Sequence, residues 1–249
     1  MNIAWSGLAD AEYWEYIAKY CVPSWTQLPG DKYIVHDSDL VNIEGIQVVD
    51  WNQAHNPTAP YLSLPQSRKY KERNFWRKMQ SQVWALRNLR QYDWVFLLDT
   101  DVEIINFSQE ELERIAAEVK ATGLVWATGE SNRRGHDSGH ILVDMRHPDL
   151  DKLINYYENI WDSGLIHTLD KAYDGHAVEH MLAGPYPSVK LYNKDYGSGL
   201  HVYHTFGTAH YGSKEPKTLR AAWPGAGQDF VTQRLSEIPI KKYKSDQVQ

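Results

Sequence analysis

The chain has 249 residues, 42% of them hydrophobic, a formal net charge of −6 and a single cysteine. That length and apolar content can bury a full core as one large domain, and the negative balance leaves no electrostatic footprint for nucleic acid or an anionic membrane surface. Lone Cys21 excludes an intrachain disulfide framework and any multi-cysteine metal site, and it reads as a buried helix residue. Met1 leads into NIAWSG without a basic segment and apolar run, and no stretch approaches the roughly 20 apolar residues that span a bilayer. The expectation is a soluble cytoplasmic protein with no transmembrane segment. Ten Trp and 16 Tyr stand against 5 Phe; such rings suit sugar faces and nucleobases, although most large aromatics serve core packing.

In chain order, Asn2 to Ser6 reads as a short strand and Tyr13 to Trp25 as an aromatic-rich helix closed by Pro29-Gly30. Tyr33 to His36 reads as a second strand, with Asp37-Ser38-Asp39 at its end, and Ile46 to Trp51 as a third. A loop punctuated by Pro57, Pro60 and Pro65 follows. This β-α-β order predicts an α/β fold with a mixed, mostly parallel sheet flanked by helices. From Arg68 to Arg90 the apolar residues Phe75, Met79, Val83, Leu86 and Leu89 recur at helical spacing. The basic residues Arg68, Lys69, Lys71, Arg73 and Arg77 read as its solvated face. Lys78 is the exception, a candidate ligand contact.

Trp94 to Ile105, WVFLLDTDVEII, is the most informative segment. Five large apolar residues fit a central strand buried on both faces, and ligands in open α/β sheets bind beyond the carboxyl ends of such strands. Along a strand, positions i and i+2 share a face roughly 6 to 7 Å apart, so Asp99 and Asp101 are expected to close on one hard cation while Thr100 faces away. Oxygen ligands of this kind suit Mg²⁺ or Mn²⁺, whose shells are commonly completed by substrate phosphates and water. Asp-x-Asp alone arises by chance in a chain this rich in Asp; the buried strand before it gives it meaning.

Beyond it, Glu110 to Ala121 reads as a surface helix capped by Ser108, and Leu124 to Thr128 as a buried strand. Glu130 to His140, ESNRRGHDSGH, reads as a substrate-holding loop before the apolar segment Ile141 to Met145. Pro148 starts a helix through Trp161, with Asp149 and Asp151 in its first turn. Asp174 to Leu182 reads as a short helix ended by Gly184-Pro185, and His201 to Phe206 as a late strand followed by a loop, Gly207 to Pro216. Residues 1–240 read as a single domain, which a family resemblance divides into a nucleotide-binding half, 1–103, and an acceptor-side half, 104–240; residues 241–249 read as a polar tail.

The FWRK helix, the strand ending in Asp-Thr-Asp, DSG before an apolar strand, DGHAVEHML and HTFG come in an order that resembles the GT-A nucleotide-sugar glycosyltransferases. Within them the chain looks closest to retaining groups that include glycogenin and lipopolysaccharide galactosyltransferases, and the plant galactomannan galactosyltransferases with their yeast mannan counterparts. The similarity spans roughly residues 1 to 215. It implies a GT-A fold and transfer of a hexose from a UDP-sugar to an acceptor hydroxyl on a carbohydrate or glycoconjugate, with Mn²⁺ or Mg²⁺ and with retention. It implies that Asp99 and Asp101 hold the cation against the donor diphosphate, with His204 as third protein ligand. Gly207 then lets the backbone approach the phosphates, Lys214 or His210 supplies the following cation, and Lys78 contacts the donor. Ser6 and Asp37 fall where uridine is held, and Asp137-Ser138-Gly139 under the donor sugar. Asp174 matches the acid near the reacting carbon, but Gly175 stands where the family has Gln. Glu179, placed like the acid of an acceptor motif, can share that role.

Other chemistries use some of the same residues. His176-Ala177-Val178-Glu179-His180 is the H-x-x-E-H pattern of inverted zinc peptidases; such a site needs a further ligand, and Glu215 and Glu237 lie in loop-like or tail-like sequence. A dehalogenase-type phosphatase also ends an apolar strand in D-x-D, but its nucleophile strand comes first in the catalytic domain. A sugar-binding module without turnover would share the aromatics. His36, His55, His147 and His167 read as structural or exposed, His136 and His140 flank the DSG step, and His201 and His210 compete with His204.

Overall fold

A computed structural model describes residues 1–37, 42–65, 70–105, 107–129, 137–191, 200–203 and 208–211. Its strands are β1 (Ile3–Ala9), β2 (Asp31–His36), β3 (Gln47–Asp50), β4 (Trp94–Leu98), β5 (Val102–Ile104), β6 (Trp126–Gly129), β7 (Asp137–Asp144), β8 (Val189–Lys190), β9 (Leu200–Tyr203) and β10 (Thr208–Tyr211). Seven of them form one sheet in the order β3-β2-β1-β4-β7-β6-β8. β1 pairs in parallel with β2 and β4, β2 with β3, and β6 with β8, while β7 runs antiparallel between β4 and β6. The protein is therefore α/β with a mixed, mostly parallel sheet, and strands from both halves of the sequence share it.

The helices are α1 (Ala11–Tyr13), α2 (Lys19–Cys21), α3 (Trp51–Ala54), α4 (Tyr70–Asn88), α5 (Gln109–Thr122), α6 (Leu150–Asp162) and α7 (Asp174–Ala183). A π-helical turn, Trp14–Ala18, joins α1 to α2, and a 3₁₀ turn, Val22–Gln27, continues them, so the expected aromatic helix is an irregular helical run. Cys21 is buried in it. Side-chain alternation in β4 shows why its run is apolar throughout. Val95 and Leu97 pack with α4, α6 and α7 on one face, through Met79, Val83, Leu153 and Val178. Trp94, Phe96 and Leu98 pack on the other with Trp25 and with Ile115 and Val119 of α5. Local chemistry sets the ends of α5: the Ser108 side chain accepts from the Glu111 N–H, and Gly123 closes the helix at φ 66°.

Three sequence expectations change. The run from Trp94 to Ile105 is two strands, because Val102 N–H donates to the Asp99 carbonyl at 3.1 Å and closes a turn over 99–102. β5, after that turn, joins β10 and β9 in a separate three-stranded sheet, so part of the late loop is strand. The DSG step opens β7 rather than lying in a loop. β5 and β10 are short, and all three elements are held by pairing to remote chain, which local propensity does not encode. No helix among the described residues is long and apolar enough to cross a membrane.

Candidate active site

The carboxyl end of β4, the amino end of β7, the middle of α4 and the first turn of α7 meet at one place. β4 ends at Leu98, opposite His140 of β7, and the next N–H, of Asp99, donates to the Gly139 carbonyl at 3.0 Å. Asp99 is thus fixed beside the DSG step. Lys78 reaches in from α4, its Nζ lying 2.6 Å from Asp99 Oδ1 and 2.5 Å from Asp174 Oδ2. One ammonium bridges the first carboxylate of Asp-x-Asp and the first residue of α7.

Asp174 is almost fully buried. Burial pushes its carboxyl up, but the charge and hydrogen bond of Lys78, the Ser138 hydroxyl and the Gly175 N–H hold it below the ordinary 3.8. Gly175 therefore serves Asp174 through its backbone, where no side chain is needed. Burial likewise opposes the charge on Lys78, yet Asp174 and then Asp99 raise its pKa well above 10.5. Behind the pair, buried Tyr157 of α6 donates to Gln82 Oε1 at 2.9 Å, one helical turn beyond Lys78.

The second carboxylate takes a different position from the one strand alternation predicts. Asp101 lies in the turn, nearly buried at 4% exposure. It accepts a hydrogen bond from the Tyr13 hydroxyl; burial, then Asp101 and Asp99, push that phenol well above its ordinary value. Thr100 does face away, donating to the Leu8 carbonyl at 2.7 Å. The turn seats closely on β1 because Gly7 has no side chain: a Cβ there would lie 2.7 Å from the Leu98 carbonyl oxygen and 2.8 Å from Thr100 Cγ2. Beyond the turn, Trp25 Nε1 donates to the Val102 carbonyl at 2.9 Å, and Ile104 N–H to Ser24 Oγ at 2.7 Å.

A second cluster lies at the carboxyl ends of β1, β2 and β3. Asp37 accepts the Ala11 N–H at 2.8 Å and Arg77 Nη2 at 2.7 Å. Arg77 Nη1 lies 3.5 Å from Asp10 Oδ2, and the guanidinium stacks 4.7 Å over the Trp51 ring. Burial raises the Asp37 carboxyl, but Arg77 outweighs it and leaves the group below 3.8. Arg77 is not the solvated residue its neighbours suggest; it joins three strand ends. The residue before Lys78 on a helix that crosses strand ends was the one available hint.

Ser6 is buried in β1, three residues short of that strand's end at Ala9. Asp137 opens β7, paired with Gly129. The backbone of His210 pairs with Val102, the residue after Asp101, and with His201. His204, Gly207 and Lys214 lie outside the described residues, as do His136, Glu215, Glu237 and the tail 241–249. His140 is fully buried against the edge of Phe96, a core position rather than a substrate contact.

The H-x-x-E-H residues do not converge. His176 Nδ1 lies 3.2 Å from Glu179 Oε2, whereas His180 Nε2 hydrogen bonds the Tyr156 hydroxyl of α6 at 3.1 Å, its ring parallel to the tyrosine. Among the described residues no group of three or more His, Cys, Asp or Glu could hold a metal ion. Asp99 and Asp101 supply two hard oxygen donors, a set that suits Mg²⁺ or Mn²⁺ only when substrate phosphate and water complete the shell.

The chain matches no known protein-family model, and no curated protein matches it.

Proposed function

We propose that the protein is a GT-A glycosyltransferase that moves a hexose from a UDP-sugar to a carbohydrate or glycoconjugate hydroxyl with retention. The observation that carries this proposal is the bridge of Lys78 between Asp99 and Asp174, beside Ser138-Gly139 and beyond the carboxyl end of a central strand. Cleavage of a nucleotide-sugar bond leaves negative charge on the diphosphate and positive character on the anomeric carbon. A basic residue and a buried, ionised carboxylate a few ångströms apart answer those two demands.

Asp99 and Asp101 would hold Mn²⁺ or Mg²⁺, which when bound neutralises charge developing on the diphosphate. Lys78 contacts a phosphate oxygen from the α4 side. Asp174, kept ionised by Lys78 and oriented by Ser138, faces the anomeric centre. Ser138 and Gly139 form the floor for the donor sugar. Asp37 and Arg77, at the ends of β1 and β2, hold the nucleoside. Glu179, 43% exposed at its side chain, is left to the acceptor side.

The decisive experiment incubates purified protein with UDP-, GDP- and CMP-hexoses and Mn²⁺, and follows nucleotide release. UDP release from one UDP-hexose, abolished by EDTA and restored by Mn²⁺, is expected. Equal inertness toward all three donor classes, together with no UDP binding in the presence of Mn²⁺, would sink the assignment.

A further inference from the structure

We propose that the outward face of α7 is a binding track for a chain of neutral hexoses, running from Tyr173 beside Asp174 to Tyr186 past the helix end. At its catalytic end the track rests on the nucleotide-sugar assignment above, and it adds that the acceptor is an oligosaccharide held along its length rather than at one sugar.

Helix geometry lays out the track. Asp174, Ala177, Val178 and Met181 bury one side of α7, which leaves Tyr173, His176, Glu179 and His180, three or four residues apart, along the other. The near end is tied to the candidate site: Phe75, one turn before Lys78 on α4, meets Tyr173, the residue before Asp174, with ring centroids 4.5 Å apart. His176 follows, 6.4 Å from the Tyr173 ring. At the far end the Tyr156 ring of α6 lies parallel to His180, at an interplanar angle of 2°, and is joined to it through the tyrosine hydroxyl; Tyr186 packs 5.5 Å from Tyr156. Each of these rings is half-buried, held by neighbours yet with part of its surface in water. The loop beside the far end carries no long side chain, since Ala183, Gly184 and Pro185 are exposed and a Cβ on Gly184 would lie 3.8 Å from the Tyr156 hydroxyl. From Tyr173 to His180 the helix rises about 10 Å, more than one hexose ring spans.

The chemistry of this face selects its occupant. Flat rings with polar edges pack against the C–H faces of sugars, while tyrosine hydroxyls, imidazole nitrogens and the Glu179 carboxylate meet sugar hydroxyls. Lys171 Nζ, 5.9 Å from the Tyr173 ring, adds a donor. The charged groups have partners at hand: Glu179 faces His176 at 3.2 Å, and Lys152 pairs with Asp149 at 2.7 Å near Tyr186. Paired charges favour a neutral chain over an ionic one. Continuity with Asp174 places the first sugar of that chain where the transferred hexose is received.

The test is isothermal titration calorimetry of the full chain, with no sugar donor, against mono-, di- and tetrasaccharides of α- and β-linked glucose and mannose. In at least one series the tetrasaccharide is expected to bind about tenfold more tightly than its disaccharide, because only the longer chain reaches Tyr156 and Tyr186. Tyr156→Ala and Tyr186→Ala should each lower tetrasaccharide affinity about tenfold and leave the disaccharide unchanged, whereas Tyr156→Phe, which keeps the ring, should retain most of the gain. No tetrasaccharide binding, no dependence on length in any series, or a native length dependence in the folded alanine variants overturns the track. A dimer seen by light scattering and dissociated by Tyr186→Ala would assign the face to a second copy of the chain and also overturns it. Mn²⁺-dependent UDP release without length-dependent sugar binding removes the track alone; length-dependent binding without UDP release keeps the track as a saccharide site and removes the transferase assignment. Should the alanine variants not fold, the native length series decides.

Discussion

Lys78 and Asp174 stand 96 residues apart in sequence, yet the lysine ammonium donates to Asp174 Oδ2 at 2.5 Å and closes α4 onto the first turn of α7. Removing one member of a buried ion pair leaves the other uncompensated. Asp174→Ala is therefore expected to lower unfolding stability by about 3 kcal/mol, with Asp99 left as the lysine's remaining partner. Urea unfolding at neutral pH measures this, and a midpoint within error of the native value would contradict the pairing.

The same pair sets a pH window. Asp174 is held below 3.8 when folded, so its stabilising contribution is complete above 3.8 and is lost only as pH falls through the lower folded value. Lys78 is raised above 10.5, so its contribution is complete below 10.5 and is lost only as pH rises through the higher folded value. The stability difference between the native protein and Asp174→Ala should stay flat across neutral pH and shrink only in strong acid, as Asp174 is protonated, or in strong base, as Lys78 loses its charge. A difference that already fades near the histidine range would assign it to another group.

Gly7 lets the Asp99–Val102 turn seat on β1. Gly7→Ala puts a methyl group against a backbone carbonyl at 2.7 Å, where no rotamer relieves it. The expected cost is about 1 to 3 kcal/mol, with weaker Mn²⁺–UDP binding because the turn carries both carboxylates. Calorimetry and urea unfolding on one preparation test both; a fully stable variant with native affinity would mean that the turn relaxes freely.

Arg77 fixes the Asp10 and Asp37 end of the sheet and stacks on Trp51. Arg77→Lys keeps the charge but loses the fork and the planar stack, so UDP affinity is expected to fall about tenfold while the fold persists. Isothermal titration with UDP and Mn²⁺ reads it directly, and unchanged affinity would remove this cluster from the nucleoside site.

Tyr13 donates to nearly buried Asp101. Tyr13→Phe takes away that donor at almost constant volume and is expected to cost about 1 kcal/mol or more. The check is the urea midpoint at neutral pH; no loss would show that another donor takes over.

Much of this was legible without a structure, because strand and helix periodicity are local. The apolar run before Asp99 announced a strand buried on both faces, Ser108 marked the start of α5, and the α/β alternation followed from element order. Asp99, Lys78, Ser138 and Asp174 were each singled out, but nothing in their spacing says that they touch. That contact depends on β7 running antiparallel beside β4, which brings Gly139 to Asp99, and on α4 and α7 packing on the same face of the sheet. The division of the Asp-x-Asp segment into strand, turn and a second sheet was equally hidden, since a three-residue strand has no periodicity of its own and exists through its pairing with β10. Sequence determined the long, periodic strands and helices and their chemically loaded ends. The tertiary structure alone decided which charges meet, because the energy of an ion pair depends on distance in space and not along the chain.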